Sequence, residues 1–418
     1  MNRLAYWLRI LGPGLITGAA DDDPSGIATY SVAGASTGYS LLWVAVLTTP
    51  MMAVVQGMCA RIGMVTGSGL AAAIRKKYAA WIVYALAAIV VFANTLNVGA
   101  DIGGMGAAAQ LVSGMSSLGW ALFFGVALIF AQVYLSYKVI ERSLKWLTAS
   151  LLAYVITAFI VNPPWLTILR DTFVPNVRFS ADWLATLVGV LGTTISPYLF
   201  FWQASMMVED QKAMGRTTIA SRRGATQQEV RDEAVDTNTG MAYSNLIFYF
   251  IVLTTAATLG AHGITNISTA QEAASALKPL AGPFASALFA LGMVGTGLLA
   301  IPTLAGSSAY VLAETFRFRE GLDEKPRRAR RFYAVIAAGT VAGMLMNLLH
   351  VNVVKALYWT AVCNGVAAVP LLVFITLLAN DKKVMGRWTN SAAANFWAWL
   401  TTAFMGAAAV LMFVFWGR

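Results

Sequence analysis

Charged residues are scarce in this chain of 418 residues. Only 11% of them are Asp, Glu, Lys or Arg, whereas about a quarter of a typical soluble domain is charged. Hydrophobic residues make up 58% of the chain, and the mean hydropathy is +0.67. This composition excludes a soluble globular domain and predicts an all-α protein that crosses a membrane several times.

Histidine and cysteine are equally rare, with two of each. Cys59 and Cys363 lie within apolar stretches, which indicates small core residues and argues against a disulfide or a thiolate metal site. His262 and His350 fall near the predicted outer ends of apolar segments. Without a histidine or a nucleophile–base pair at membrane depth, the sequence gives no support to an enzyme.

The apolar residues form long runs that are separated by polar connections. A helix needs roughly 20 apolar residues to span a bilayer. On this criterion the sequence predicts about eleven spans, with the first and the sixth interrupted. Their ranges are 8–39, 41–65, 79–112, 117–136, 144–162, 183–208, 240–260, 281–313, 332–349, 353–379 and 392–416.

The net charge of +10 is unevenly distributed over these spans. If the N-terminus lies in the cytoplasm, most Lys and Arg fall on the cytoplasmic side. They cluster after spans 2, 4 and 8, as Arg75, Lys76 and Lys77, then Lys138, Arg142 and Lys145, then Arg317, Arg319, Lys325, Arg327, Arg328, Arg330 and Arg331. This is the positive-inside pattern. The basic excess therefore orients the protein in its membrane, and it does not predict nucleic acid as a partner.

Asp21, Asp22 and Asp23 interrupt the first apolar segment and are followed by Pro-Ser-Gly. A carboxylate at membrane depth costs roughly 2.5–3.5 kcal/mol on insertion scales, so such residues normally mark the path of an ion or substrate. Proline and two small residues do not sustain a helix here. The sequence predicts two half-helices whose broken middle exposes carbonyls and carboxylates. A loop between two interfacial helices is the alternative.

A second break, GTTISPY at 192–198, interrupts the sixth span. Two halves with an odd number of spans each insert in opposite orientations, and broken helices at corresponding positions of inverted repeats indicate the central site of a transporter. The predicted organisation is a first repeat with the broken sixth span (1–208), a cytoplasmic loop (209–239) and the remaining spans (240–418). The loop is predicted to be a solvated linker, with a surface helix or a partner site as alternatives.

The predicted ion ligands at the two breaks are all oxygen donors. Asp23, directly before the proline, is the predicted anionic ligand, and Ser25 and Gly26 complete its side of the site. The opposing break offers Thr193 and Ser196. Oxygen ligands suit hard cations such as Mg²⁺, which keeps several of its waters, whereas softer metals gain from sulfur or imidazole.

Further polar residues are predicted to lie around these ligands. Asp22 is an outer or entrance charge, and Asp21 caps the second half-helix or faces a vestibule. Asn94, Asn97 and Asp101 share one face of span 3, because they are spaced i, i+3 and i+7. This stripe either joins helices through hydrogen bonds or, as its carboxylate favours, lines an aqueous path to the site.

Three stretches resemble segments of the Nramp (natural resistance-associated macrophage protein) divalent-metal transporters. They are GPGLITGAADDDPSGIATYSVAGA (12–35), QGMCARIGMVTG (56–67) and TLAGSSAYVLAETFRFR (303–319). The resemblance extends over spans 1–10. It implies a LeuT-like fold of two inverted five-helix repeats, with helices 1 and 6 broken.

The ligand positions depart from the family pattern. The family's Asp-Pro-Gly-Asn break matches at Asp23, but Gly26 stands at its asparagine. Its Met-Pro-His in helix 6 corresponds to Ser196, Pro197 and Tyr198, so the thioether of the methionine is absent. These losses are similar to the Nramp-related magnesium transporters, a branch with a wider, all-oxygen site that is thought to carry Mg²⁺ and Mn²⁺ without proton coupling.

The resemblance also bears on the proton path and on helix 10. Tyr198 and Gln203 stand where Nramps have histidines. In helix 3, Asp101 stands at the family's glutamate and Val98 at its aspartate. Asn364 lies near a family position that can reach the metal. Asn97, Asp101, Tyr198, Gln203 and Asn364 are therefore expected along the pathway.

Together these features predict a secondary transporter that imports Mg²⁺, and also Mn²⁺, by alternating access without proton coupling. The alternative is a proton-coupled Mn²⁺/Fe²⁺ symporter like standard Nramps. An amino-acid carrier on the same fold is disfavoured, because the aspartates at 21–23 would repel a substrate carboxylate. No cofactor is expected besides the transported ion. The predicted partners are divalent metal ions and the lipid bilayer, and a monomer is favoured.

Overall fold

The structure, a computed structural model, describes residues 12–135, 147–349 and 351–416. All regular secondary structure within these ranges is helical. The basic residues Lys138, Arg142 and Lys145 and the histidine His350, on which two predictions bear, lie outside them. So do the first residues of the predicted first span.

Thirteen helices that make up the predicted spans are labelled here in chain order. They are α1 Pro13–Asp21, α2 Pro24–Thr37, α3 Leu42–Thr66, α4 Ala80–Ser113, α5 Ser117–Tyr134, α6 Leu152–Val161, α7 Ala181–Thr194, α8 Pro197–Ala213, α9 Gln227–Thr258, α10 Ala285–Phe316, α11 Arg330–Met346, α12 Val353–Ala379 and α13 Ala392–Phe415. Short helices lie at Leu70–Arg75, Trp165–Phe173, Ile219–Arg222, Ala270–Ser275, Lys278–Ala281 and Lys382–Met385. Turns of 3-10 helix lie at Gly38–Leu41, Leu147–Leu151, Gly260–His262, Gly282–Phe284, Asn347–Leu349 and Gly386–Trp388.

Within the described residues, the predicted spans are confirmed as helices. Each coincides with one helix, with a pair of helices at the two interruptions, or, for the fifth span, with the 3-10 turn Leu147–Leu151 followed by α6. In the described part of the chain, nine helical segments are long and apolar enough to cross a membrane, and 149–161 is a shorter apolar helix. The protein is therefore a multi-pass membrane protein.

Both predicted breaks are present, and proline begins the second half-helix at each. α1 ends at Asp21 and α2 begins at Pro24, while α7 ends at Thr194 and α8 begins at Pro197. Proline suits the first position of a helix, because its missing N–H would have no intrahelical partner there. Each proline thus begins the second half-helix, α2 or α8. Because it has no N–H to donate, it does not extend the half-helix before it, α1 or α7.

The broken helices lie at the centre of the bundle. In the most apolar stretch of Ala181–Ala213 every residue is buried, whereas only 28% of the residues are buried in the corresponding stretches of α5 and α11. On α5 the large apolar side chains Phe123, Val126 and Phe130 are exposed, as expected for a helix that faces lipid. The two breaks are thereby enclosed by the other helices.

Close helix crossings fix the positions of α1 and α7. A Cβ atom on Gly18 of α1 would lie 2.1 Å from the carbonyl oxygen of Gly240 in α9. A Cβ atom on Gly192 of α7 would lie 2.1 Å from the carbonyl oxygen of Ala361 in α12. Only glycine permits such backbone contact, which is the usual way in which membrane helices pack closely.

The polar segment 209–239 differs from the predicted linker. α8 continues to Ala213, the short helix Ile219–Arg222 follows, and α9 already begins at Gln227. A capping box explains this early start, because Thr226 and Glu229 bond each other's backbone N–H groups and so satisfy donors at the helix end. Only residues 214–226 separate the two long helices. The assignment of this segment to the cytoplasm stays a prediction.

Candidate functional site

Four carboxylates lie at the centre of the bundle around the first break. Asp21, Asp22, Asp23 and Asp101 are at most 2% exposed. No Lys or Arg within the described ranges forms an ion pair with any of them. Burial of an unpaired charge costs several kcal/mol even after relaxation of the protein. Four such groups in one place make the first break a candidate site for cations.

Asp23 organises the first side of this site. Its carboxylate caps α2 by accepting hydrogen bonds from the Ser25 hydroxyl at 2.7 Å and the Gly26 N–H at 2.6 Å. The Ser25 N–H in turn donates to Asp101 Oδ1 at 3.1 Å. We call Asp23, Ser25, Gly26 and Asp101 the Asp23 cluster. The structure brings these four predicted residues together, and their role as ion ligands and path stays a prediction.

The polar stripe of α4 divides into two parts. The Asn94 amide nitrogen donates to the Leu304 carbonyl at 3.2 Å and to the Ser308 hydroxyl at 3.0 Å, so this residue joins α4 to α10. Both amide atoms of Asn97 and the Oδ2 atom of Asp101 are buried without a hydrogen-bond partner. Buried polar atoms are nearly always bonded to protein, water or an ion. Asn97 and Asp101 are thus the part of the stripe that is available to a hydrated ion.

Asp21 and Asp22 lie in a second group that includes α9. Ser244 of α9 is 2.8 Å from Asp21 Oδ2 and 3.4 Å from Asp22 Oδ1. The hydroxyl of Ser196 is 3.4 Å from Asp21 Oδ1. We call Asp21, Asp22, Ser196 and Ser244 the Asp21 cluster. The sequence predicts Ser196 as a ligand at the same site as Asp23. In the structure, however, the carboxylate that Ser196 contacts is that of Asp21.

The remaining predicted residues have different surroundings. The Thr193 hydroxyl bonds the carbonyls of Gly189 and Val190 in its own helix, at 3.3 and 3.0 Å. Both amide atoms of Asn364 are buried without a partner. It directly precedes Gly365, where a Cβ atom would lie 2.4 Å from the Val188 carbonyl of α7. Asn364 therefore offers free polar atoms, whereas the hydroxyl hydrogen of Thr193 is used within α7.

Tyr198 and Gln203 both bond to α1. The Tyr198 hydroxyl donates to the Ala20 carbonyl at 2.8 Å, next to the break. Gln203 accepts from the Thr17 hydroxyl at 2.6 Å and donates to the Thr237 hydroxyl at 3.2 Å. Gln203 thus contacts α1 at Thr17, which is about one turn further from the break than Ala20, the residue that Tyr198 contacts. Both residues hold α1 in place between α8 and α9.

Sequence reasoning missed Ser244, and it gave Asp21 only a capping or vestibule role. A signal existed, since Ser244 and Asn245 form a polar pair at the start of an otherwise apolar stretch. Their partners, however, depend on which helix α9 crosses. Within the described ranges, no three His, Cys, Asp or Glu side chains are arranged to hold a metal ion directly.

The paired breaks at the centre of a helical bundle define a class, the polytopic membrane proteins with the LeuT-type fold. The residues that the structure describes have this architecture throughout. Its fold is similar to that of a manganese transporter of Eremococcus coleocola, with a TM-score of 0.73 and 18% identity over 99% of this chain and 88% of that one. It is also similar to MhsT, solved with L-phenylalanine, with a TM-score of 0.57 and 13% identity over 96% of this chain and 97% of that one.

Sequence comparison then gives the family. The model of the family described as "Natural resistance-associated macrophage protein-like" matches residues 14–415. The chain belongs to the Nramp family, whose members are transporters. It is 28% identical over 396 residues to the divalent metal cation transporter MntH of Yersinia enterocolitica, covering 92% of this chain and 89% of that protein. The predicted family and fold are confirmed.

Proposed function

We propose that the protein carries the divalent cations Mg²⁺ and Mn²⁺ into bacteria across the inner membrane, by alternating access and without proton coupling. The observation that carries this proposal is the Asp23 cluster, where Asp23 is buried at the start of α2 and Asp101 is buried in α4. Ser25 bridges the two carboxylates, with its hydroxyl donating to Asp23 and its N–H to Asp101. Every side chain in it that can meet an ion presents oxygen. Oxygen ligands favour Mg²⁺ and Mn²⁺ over softer metals.

The opposing break supports a hydrated ion. Ser196 stands where the family resemblance places methionine, so no thioether enters the site from α8. The free amide atoms of Asn97 and Asn364 can bond the waters that Mg²⁺ retains. Manganese is the metal named for the Eremococcus coleocola protein, and divalent metal cations are named for MntH. Both agree with Mn²⁺ as a second substrate.

Uncoupled transport is supported by the surroundings of Tyr198 and Gln203. A phenol and an amide do not change charge near neutral pH. Both side chains are also bonded to α1, Tyr198 through the Ala20 carbonyl and Gln203 through the Thr17 hydroxyl. Neither group therefore takes up and releases a proton near neutral pH as the histidines of the family pattern can. In this scheme Asp101 acts as a fixed negative charge for the passing ion.

The direction of transport would follow the membrane potential. With the N-terminus in the cytoplasm, as the distribution of Lys and Arg indicates, an interior-negative potential draws cations inward. It supplies about 2.3 kcal/mol per charge per 100 mV, hence about 4.6 kcal/mol for a divalent ion. A uniporter with this driving force needs no proton gradient.

Reconstitution into liposomes tests the proposal. Mg²⁺ and Mn²⁺ uptake would be measured side by side, with a pH dye in the lumen and protein-free liposomes as the control. We expect both ions to enter without acidification, and Mn²⁺ uptake to persist with no pH gradient. A metal-dependent proton flux that disappears in Asp101→Asn would instead support the proton-coupled Mn²⁺/Fe²⁺ symporter. Failure of both ions to enter would refute divalent-cation transport.

A further inference from the structure

The Asp21 cluster has too few hydrogen-bond donors for its two carboxylates. The Ser244 hydroxyl has one hydrogen, and it is 2.8 Å from Asp21 Oδ2 but 3.4 Å from Asp22 Oδ1. The shorter contact takes the hydrogen, since hydrogen bonds between oxygens are normally 2.5–3.0 Å long, with a mode of about 2.7–2.8 Å. Asp22 Oδ2 is buried and has no partner at all. Asp22 is therefore left without a good donor.

Ser196 does not supply the missing hydrogen-bond donor. Its hydroxyl is 3.4 Å from Asp21 Oδ1 but only 2.8 Å from the Thr193 carbonyl and 3.0 Å from the Gly192 carbonyl. Its single hydrogen is thus used within α7. The two carboxylates of Asp21 and Asp22 share one well-placed donor, that of Ser244.

Asp23 differs from Asp21 and Asp22 in the number of short hydrogen bonds that it accepts. Asp23 accepts two short hydrogen bonds, at 2.6 and 2.7 Å, from its own turn. Asp21 and Asp22 are equally buried and lie at the C-terminal end of α1, where the helix dipole adds partial negative charge. The negative potential at the end of α1 therefore favours the binding of a cation that the protein itself does not supply. The Tyr30 ring edge, the Asp21 carbonyl and Asp23 Oδ1 each lie 3.4 Å from the position of a Cβ atom on Gly26.

We propose that Asp21, Asp22 and Ser244 form a second position for a divalent cation, distinct from the Asp23 cluster. The proposal rests on the proposed function, because it concerns the same transported ions. Charge balance favours a divalent occupant, since the two ionised carboxylates carry two negative charges. Over both clusters, the four buried carboxylates would balance two divalent ions.

The two positions lie in series along the break. Asp22 and Asp23 are adjacent, and consecutive Cα atoms are about 3.8 Å apart. The two positions are therefore neighbours, and the repulsion between two ions held there would weaken the binding of each. The Asp21 cluster, on the α1 side of the break, would be the position nearer the cytoplasm.

Counting bound Mn²⁺ tests this proposal. The purified full-length protein in detergent is titrated with Mn²⁺, and free Mn²⁺ is measured by electron paramagnetic resonance. We expect two ions per chain for the wild type, and one ion per chain for Ser244→Ala and for Asp22→Asn. Ser31→Ala is the matched control, because Ser31 is also a buried serine but bonds the Ile27 carbonyl of its own helix. This variant should retain two ions.

Thermal unfolding separates loss of the site from loss of the fold. Without metal, Asp22→Asn should unfold at a higher temperature than the wild type, because it removes an uncompensated buried charge. Saturating Mn²⁺ should then raise its midpoint less than that of the wild type. One Mn²⁺ per wild-type chain, unchanged in folded Ser244→Ala, would overturn the second position and leave the proposed function intact. No Mn²⁺ bound to the wild type would overturn both.

Discussion

Gly18→Ala tests how closely α1 must pack on α9. The added Cβ atom would lie 2.1 Å from the Gly240 carbonyl oxygen, whereas ordinary contact begins at 3.4 Å. The two backbones must therefore separate by about 1.3 Å, the difference between these distances. The same displacement would lengthen the bonds at the start of α1, where Asp236 accepts from the N–H groups of Gly12, Gly14 and Leu15 at 2.6–3.0 Å.

The expected cost follows from these two effects. Overpacking costs about 1–3 kcal/mol, and weakening hydrogen bonds to a charged group adds about 1.5–3 kcal/mol. Replacing glycine by alanine within a helix stabilises the helix by about 1 kcal/mol, which offsets part of this cost. We expect a net destabilisation of about 1.5–5 kcal/mol, which acts on the state in which α1 is packed on α9. Transport should fall because α1 then no longer returns to this position.

Tryptophan fluorescence during heating measures the effect, since the chain has 13 tryptophans. Gly57→Ala in α3 is the matched control, because a Cβ atom there meets nothing within 4 Å. Its unfolding midpoint should equal or slightly exceed that of the wild type. If Gly18→Ala matches Gly57→Ala in both midpoint and Mn²⁺ flux, the close crossing is not what holds α1.

Three further predictions concern the site and its support. Asp23→Ala should abolish Mg²⁺ and Mn²⁺ uptake into liposomes while the protein stays monodisperse in size-exclusion chromatography; near-normal Mg²⁺ flux would remove Asp23 from the site. Ser196→Met should shift competitive uptake towards Mn²⁺ and Cd²⁺ by adding a soft ligand; an unchanged preference would direct attention to Asn364. Asp236→Ala should speed amide exchange in α1 by removing a cap worth about 1–3 kcal/mol, and Asp236→Asn should do so less because it keeps one acceptor; equal exchange in both variants would contradict this.

The breaks could be predicted because their causes are local. Pro24 and Pro197 suit the first position of a helix and lack the N–H that would continue the preceding one. Proline also occurs inside three continuous helices of this structure, so the small and polar neighbours of Pro24 and Pro197 are needed as well to predict the breaks. Acids at membrane depth then mark the region as functional. The start of α9 was equally local. The Thr226–Glu229 capping box was visible in the sequence, but the polarity of the segment led to the prediction of a linker.

The partners of each carboxylate could not be predicted, because they lie far away in sequence. Asp21 bonds Ser244 across 223 residues, and that contact depends on where α1 crosses α9. A sequence shows that adjacent aspartates point in different directions, but it does not show what lies in each direction. For this reason Ser196 was assigned to Asp23, although its hydroxyl lies near Asp21.

The packing of α1 against α9 has a consequence for biogenesis. α1 has nine residues, too few to span a bilayer by itself, and its cap at Asp236 lies 222 residues beyond Gly14. At about 5–20 residues per second, the ribosome needs roughly 10–40 s to reach that cap. During this interval the N-terminal segment and its aspartates lack the helix that later encloses them. We therefore expect the enclosure of α1 and its aspartates to be completed late, after the second half of the chain has begun to emerge.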